Sequence, residues 1–441
     1  MRKKIIRKLK NTNIYKRVID SGIIKNSIIT LSSQTIAGAL SFFTTLIIVA
    51  TVGVTGNGVL AIVITYSTMF NGLFNFQSYN ALIKFGAEAI EKKDNNAYKM
   101  YIKTALIQDI VTAILAYVIG KAVLGYIAEI MHWDANIVSY INLYLITIPI
   151  NITGSLNAIL RLHDKFHITG LVSIVGNFVK FILAIFAFMM KLTVYYFVWI
   201  EIILIVVQNV LRLYYSLKTM KERDISFDEI IHTKLYMDKK FTKFNIYNNL
   251  VSAVDIPAGQ AVNLVINKYL GMNTVGVYNI FVKAGAIIAQ ITDAVGQAIF
   301  PEFSVMVAKN NIKAALSVCK KLLKSVNLLS IIAAILSLLF YKMWMPFFME
   351  PNFNYAIAFA IYILFLGLSG SLVPIHQLFV SVNLVNYNLY IAIVCNIIYI
   401  LLLLLLSNVL GLIGVMIAML FQCLLVCVCK IIILRRKQYW M

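Results

Sequence analysis

Long apolar segments recur along this chain, about twelve of them. They begin near Asn26, Gly58, Tyr101, Ile137, Ile168, Val194, Ile246, Val275, Ala314, Tyr355, Tyr387 and Gly411, and each runs roughly 20 residues. A helix of that length covers about 30 Å, the hydrocarbon thickness of a bilayer. Inside a bilayer the backbone has no water to bond with, so repeated runs of this kind fold as membrane-crossing helices. The expected fold class is all-α: a polytopic membrane protein of about twelve transmembrane helices.

Charged residues are 13% of the chain, where a soluble domain carries about 25%. A net charge of +21 would by itself raise nucleic-acid binding, but its placement argues otherwise. All but six of the 39 Lys and Arg lie at the N-terminus, in the connections near 82–103, 161–165, 212–243 and 309–324, and at the C-terminus. The exceptions are Lys121, Lys191 and Lys342 in the alternate connections, and Lys180, Lys268 and Lys283 within segments. Basic short loops stay cytoplasmic, so both termini are expected inside and the number of spans even. The basic stretch from Arg2 to Lys25, with Arg435, Arg436 and Lys437 at the other end, is expected to touch anionic lipid headgroups. The first apolar run is too long for a cleaved leader and lacks a small-residue cleavage pattern. No nucleic-acid partner is expected.

The longest polar connection, about Lys218 to Lys243, divides the chain in two. The division gives a basic N-terminus 1–25, a six-helix bundle 26–217, a linker 218–245, a second six-helix bundle 246–433 and a tail 434–441. The halves resemble each other. Gly53 and Gly58 close the turn VGVTGNG, and Gly271 and Gly276 recur at the same spacing in LGMNTVG. The following spans end in ALIKFGAEAIEKKDNNAYK (Ala81–Lys99) and AIFPEFSVMVAKNNIKAAL (Ala298–Leu316), with Phe85 and Phe303 at the same offset. An even number of spans per half makes the repeats parallel, related by an axis along the membrane normal around a central cavity.

Polar residues mark where such a cavity would lie. In the seventh span Asn245, Asn248, Asn249, Ser252, Asp255, Gly259 and Asn263 fall on one helical stripe, and the first span has Asn26, Thr30, Ser33, Gln34, Gly38, Ser41 and Thr45. Lys283, Gln290 and Gln297 align on the eighth span, and Asn71, Asn75 and Ser78 on the second. Such stripes must face either a wet cavity or a hydrogen-bonding neighbour, and both readings are open. Pro257 interrupts the seventh helix beside Asp255, as a hinge would.

Charges within the spans are the sharpest feature, since one at the bilayer centre costs roughly 2.5–3.5 kcal/mol on insertion scales. Asp255, Lys180, Lys283 and Asp109 lie well inside, with Asp293 and Glu201 nearer the ends. Function is the expectation for Asp255 and Lys283. Asp109 and Lys180 could instead pair with each other and simply neutralise the interior. Enzymatic motifs are missing: the chain has no phosphate-binding GxxxxGK[ST] loop, no HExxH and no nucleophile elbow. Of the five cysteines, Cys423 and Cys427 share a helix face without a further metal ligand nearby. No metal and no cofactor is expected, and energy for transport would come from an ion gradient, the membrane potential or the substrate gradient.

Two sets of six spans, the turn YLGMNTVGVYNIFVKAG, and the closures SYNALIKFGAEA and AIFPEFSVMVAKNN resemble the Wzx-type polysaccharide flippases of the multidrug/oligosaccharidyl-lipid/polysaccharide exporter superfamily. The likeness rests on Gly53, Gly58, Gly271, Gly276, Lys84, Phe85, Glu88, Pro301, Glu302 and Phe303. It implies flipping of an undecaprenyl-pyrophosphate-linked oligosaccharide across a bacterial cytoplasmic membrane, with a polysaccharide polymerase as a possible partner. On that reading Lys283, Lys180 and Lys84 would counter phosphate charge. Asn249, Gln290, Gln297, Asn71, Asn75 and Gln34 would bond sugar hydroxyls. Asp255, with Asp109 and Asp293, would carry the coupling H+ or Na+. Lys84 has a rival reading as an anchor on the cytoplasmic loop. A cation-coupled drug exporter of the same superfamily and a non-transporting envelope scaffold are the alternatives.

Overall fold

A computed structural model describes residues 23–436 apart from 166, 236, 237, 255, 309, 310 and 383, and its regular elements are all helical. Glycine bends double three of the helices. In α1 (Ile23–Phe74) the bend is at Gly53, with φ 75° and ψ 174°. In α11 (Ile256–Ala308) it is at Gly271, with φ 82° and ψ 171°. In α15 (Val385–Arg436) it is at Gly411, with φ 61° and ψ −139°. The first two torsion pairs lie in a region that side chains other than hydrogen almost never occupy. Each bend turns one continuous helix into two crossings.

The remaining crossings are α3 (Asn95–Met131), the broken run α4 (Ala135–Tyr144), α5 (Thr147–Ile150) and α6 (Gly154–Leu162), then α7 (His167–Met189), α8 (Val194–Lys221), α12 (Ile312–Leu339) and α14 (Phe353–Ser381). With α10 (Lys239–Ala253) leading into α11, the twelve expected spans are all accounted for. Short α2 (Tyr79–Glu91), α9 (Phe227–His232) and α13 (Tyr341–Trp344) lie between them. Several helix starts are capped by a side-chain acceptor: Asp94 takes the amide of Ala97, Asp134 that of Ile137 and Asn311 that of Ala314.

Most of the described lysines and arginines fall on one side of the molecule, the basic face; the bends at Gly53, Gly271 and Gly411 lie at the other, the far face. Side chains such as Val111, Leu115 and Val118 on α3 point outward, as lipid-facing residues do. The main core is shared by the two halves and includes Tyr66, Phe70 and Tyr144 from one and Tyr278, Phe281 and Tyr362 from the other.

A separate core lies beneath the basic face and gathers Leu82, Tyr98, Ile102, Ile159, Met220 and Phe241. Phe241 belongs to α10, so the leading half of the seventh crossing is packed on the first half of the chain. The helix is interrupted between α10 and α11, in the stretch that holds Pro257 two residues into the new helix. Connection α9 is fastened to α3 by the Lys99–Glu229 ion pair and by Lys103, which donates to the carbonyls of Ile231 (2.5 Å) and Thr233 (2.7 Å).

Candidate functional site

At the far face the two halves meet backbone to backbone around their glycines. A Cβ on Gly58 would lie 2.0 Å from the Met272 carbonyl oxygen, and one on Gly276 would lie 1.9 Å from that of Val54. The two contacts are mirror relations of the repeat, because Val54 and Met272 are equivalent positions after Gly53 and Gly271. Asn57 donates to the Gly276 carbonyl (3.1 Å), and Asn279 donates to Asn57 Oδ1 (3.0 Å). This crossing closes the far face.

Directly beneath it is a cavity of about 250 Å³ lined by both halves. Its polar wall includes Thr45, Asn57, Thr65, Gln260, Asn263 and Asn279, and its charges are Lys180, Glu201 and Lys283. Lys180 Nζ lies 2.5 Å from Glu201 Oε1, and both side chains are at least nine-tenths buried. Lys283, on the opposite half, is half-buried and has no carboxylate or hydrogen-bond partner among the described residues. It lies close enough to feel the charges of both Lys180 and Glu201. Two cations and one anion give the lining a net charge of +1. Asn263 donates to Thr65 (2.7 Å) across the halves, while its Oδ1 is buried without a partner. A positively biased chamber whose amides and hydroxyls both donate and accept suits an anionic, hydroxyl-bearing guest.

A second polar layer lies nearer the basic face, where two crossings are broken. The second crossing ends at Phe74 and restarts as α2; the fourth loses its helix over 151–153 and restarts as α6. Asp109 joins the two restarts: Oδ1 accepts the Ser78 amide (2.7 Å) and Oδ2 the Ser155 amide (2.8 Å). Exposed helix-start amides favour a negative charge, so the carboxylate replaces the missing backbone acceptors. Asn245 reaches Ser78 Oγ and Gln108 Oε1, both at 3.0 Å, and Asn249 donates to the Gln77 carbonyl at 3.2 Å. Asn75 donates to Asn71 (2.9 Å) and accepts from Thr112 (3.2 Å).

The structure therefore divides the expected site residues. Lys180 and Lys283 share the cavity, and Lys180 pairs with Glu201, not with Asp109. Asn71, Asn75, Asn249 and Asp109 belong to the second layer. Lys84 is exposed on α2 at the basic face, 4.2 Å from the ring centre of Phe244. Gln34 is exposed on the flank of α1. Gln290, Asp293 and Gln297 lie on the second arm of α11, and their side chains, like that of Pro257, are outside those described; Asp255 itself lies outside the described residues. Asn57, Gln260 and Asn279 enter the site without having been singled out in the sequence, and Glu201, noted there only as a charge near a span end, joins them.

At the basic face, beyond the spans, His163 accepts or shares the Tyr98 hydroxyl proton at 3.0 Å. Burial, with the cations of Arg223 and Lys165 nearby, pushes its pKa below the ordinary histidine value.

The two bundles of membrane-crossing helices around a shared cavity define a membrane transporter. Residues 23–307 match the model of the polysaccharide biosynthesis protein family, and the chain belongs to that family. No curated protein sequence matches it. Among solved structures it is similar to an inward-facing multidrug resistance MATE family transporter of the MOP superfamily, with a TM-score of 0.74 at 14% identity over 93% of this chain and 98% of that one. The outward-facing form of a multidrug resistance MATE family transporter gives a TM-score of 0.66 at 14% identity, covering 94% and 96%. A MOP superfamily transporter from Pyrococcus furiosus, described as having a binding pocket of reverse polarity, gives 0.66 at 14% identity with the same coverage. At these identities the likeness establishes the fold.

Proposed function

We propose that the protein flips a lipid-linked oligosaccharide, joined to undecaprenyl through pyrophosphate, from the cytoplasmic to the outer leaflet of a bacterial cytoplasmic membrane. The observation that carries this reading is Lys283, a cation without a carboxylate partner among the described residues, facing Lys180 across a cavity built from both halves. A cation-binding exporter would call for an acidic chamber, whereas this lining is net positive. The basic face is cytoplasmic, with both termini inside. The far-face crossing is then the closed outer gate, and the headgroup enters from the cytoplasm while the polyprenyl tail stays in lipid.

In the closed-gate form the cavity is below the roughly 300–1,000 Å³ of ordinary ligand pockets. It admits the phosphate end first, and the halves must rock apart to take the sugars. Asn57, Gln260, Asn263 and Asn279 offer donors and acceptors that tolerate many hydroxyl patterns. Asp109, with both oxygens committed to helix starts, serves as an anchor. Coupling to H+ or Na+ then falls to Asp255, with Asp293 as second candidate, and Pro257 marks the hinge. Gln290 and Gln297 are assigned to the same hydroxyl-binding role from their sequence spacing. Lys84 and the basic ends meet lipid phosphates, and a polysaccharide polymerase receives the product.

The test is flipping of lipid-linked oligosaccharide in proteoliposomes. Lys283→Ala is expected to cut the rate at least tenfold with normal insertion, and Lys283→Arg to retain most of it. A silent Lys283→Ala would remove the main support for an anionic guest.

A further inference from the structure

The chamber proposed for a phosphate already contains an anion. Glu201 is the one carboxylate lining the cavity among the described residues, and it lies on Lys180 at 2.5 Å. The two sit on neighbouring helices of the first half, α7 and α8, joined by the short far-face connection after Met189. Lys283 faces them from the second half with no carboxylate of its own among the described residues. Tyr144 of the fourth crossing lies near Glu201. The cavity thus has one open cation and one that is already covered.

We propose that Glu201 is the resident counter-anion of this cavity and competes with the phosphate of the guest for Lys180. The inference rests on the flippase reading and goes beyond it by assigning both an order of events and a means of release. An incoming phosphate meets Lys283 first, since that ammonium needs no partner removed. Engaging Lys180 as well requires Glu201 to be displaced, because a carboxylate and a phosphate oxygen on one buried ammonium repel each other strongly at low dielectric. Full capture therefore joins the two halves through a single anion bridging Lys283 and Lys180. The displaced carboxylate is left beside Tyr144 without its cation, and its return to Lys180 expels the guest. Without Glu201 the anion would be held by two permanent cations and released slowly. The pair so limits affinity and lets one cavity both load and unload. Differential binding of this kind is what any ligand-driven change of state requires.

The experiment uses the full chain in lipid nanodiscs with inorganic pyrophosphate as probe, binding read by calorimetry. Glu201→Gln, which keeps the side chain's size and removes the competing charge, is expected to tighten pyrophosphate at least fivefold while slowing flipping. Glu201→Asp, which keeps the charge but shortens the reach to Lys180, is expected to tighten it by a smaller factor and guards against a Gln variant that does not fold. Unchanged or weaker pyrophosphate binding in Glu201→Asp, with or without a folded Gln variant, overturns the competition and makes Glu201 a scaffold for Lys180. The flippase reading is read separately from Lys283→Ala. Wild-type binding that is lost in Lys283→Ala supports the cationic chamber even if the Glu201 variants refute the competition. No pyrophosphate binding by the wild type overturns both.

Discussion

Adding one methyl group at Gly276 is expected to force the far face open. The Cβ of Gly276→Ala would sit 1.9 Å from the Val54 carbonyl oxygen, against the 3.4 Å at which ordinary contact begins. The obstacle is backbone, so no side-chain rotation relieves it, and the halves must separate by about 1.5 Å at that point. Overpacking of this sort costs about 1–3 kcal/mol. Separation also lengthens the 3.1 Å bond from Asn57 to the Gly276 carbonyl, which is worth about 1 kcal/mol. Together the two costs come to about 2–4 kcal/mol on the closed form alone, which shifts the closed-to-open ratio by roughly 30- to 700-fold. The assay is labelling of Leu60→Cys, a cavity-lining position almost inaccessible behind the crossing, by a membrane-impermeant maleimide applied from the far side, with the native cysteines replaced. Labelling should accelerate at least fivefold with the melting temperature little changed. Gly58→Ala, blocked by the Met272 carbonyl at 2.0 Å, should behave alike. Gly53→Ala meets no atom within 4 Å and strains only its own turn, so it should lower stability without raising labelling. Equal labelling of Gly276→Ala and wild type would refute the idea that this crossing is a gate.

Further outcomes follow from the two polar layers. Asp109→Asn leaves one of two helix-start amides facing an NH2 group, and should cost about 1–3 kcal/mol, read as a lowered melting temperature in detergent. His163 has its pKa depressed in the folded chain, so the unfolded chain binds its proton first as pH falls. Its contribution to stability is complete above about pH 6.5 and is lost progressively below that; His163→Gln should flatten the stability curve between about pH 5 and 7. Asp255→Asn should weaken the dependence of flipping on pH or sodium, and an unchanged dependence would give Asp255 a packing role instead.

The bends at Gly53 and Gly271 were legible because a glycine pair repeats at one spacing in both halves, and their near-identical torsions suit no other residue. Charge placement likewise gave the basic face. The Lys180–Glu201 pair was missed for a geometric reason. The helix of Lys180 starts at the basic face and that of Glu201 at the far face, so the distance of each from its own helix start hides that the two are level. Counted from the hairpin that joins α7 and α8, they lie nine and seven residues down, level within about 3 Å. The partners of Asp109 are hidden for another reason: they are backbone amides at helix restarts, which carry no side-chain signature. The stripe of α10 and the cavity wall also looked like one track in sequence. The interruption before α11 sends Asn245 and Asn249 to the first half and Gln260 and Asn263 to the cavity.

The most direct measurement is the leaflet distribution of lipid-linked oligosaccharide in the native host after deletion of this gene. Accumulation on the cytoplasmic leaflet, reversed by the wild-type gene and not by Lys283→Ala, is the predicted result. An unchanged distribution, with drugs or dyes retained in the cell instead, would contradict the flippase function and make the protein an exporter of small molecules.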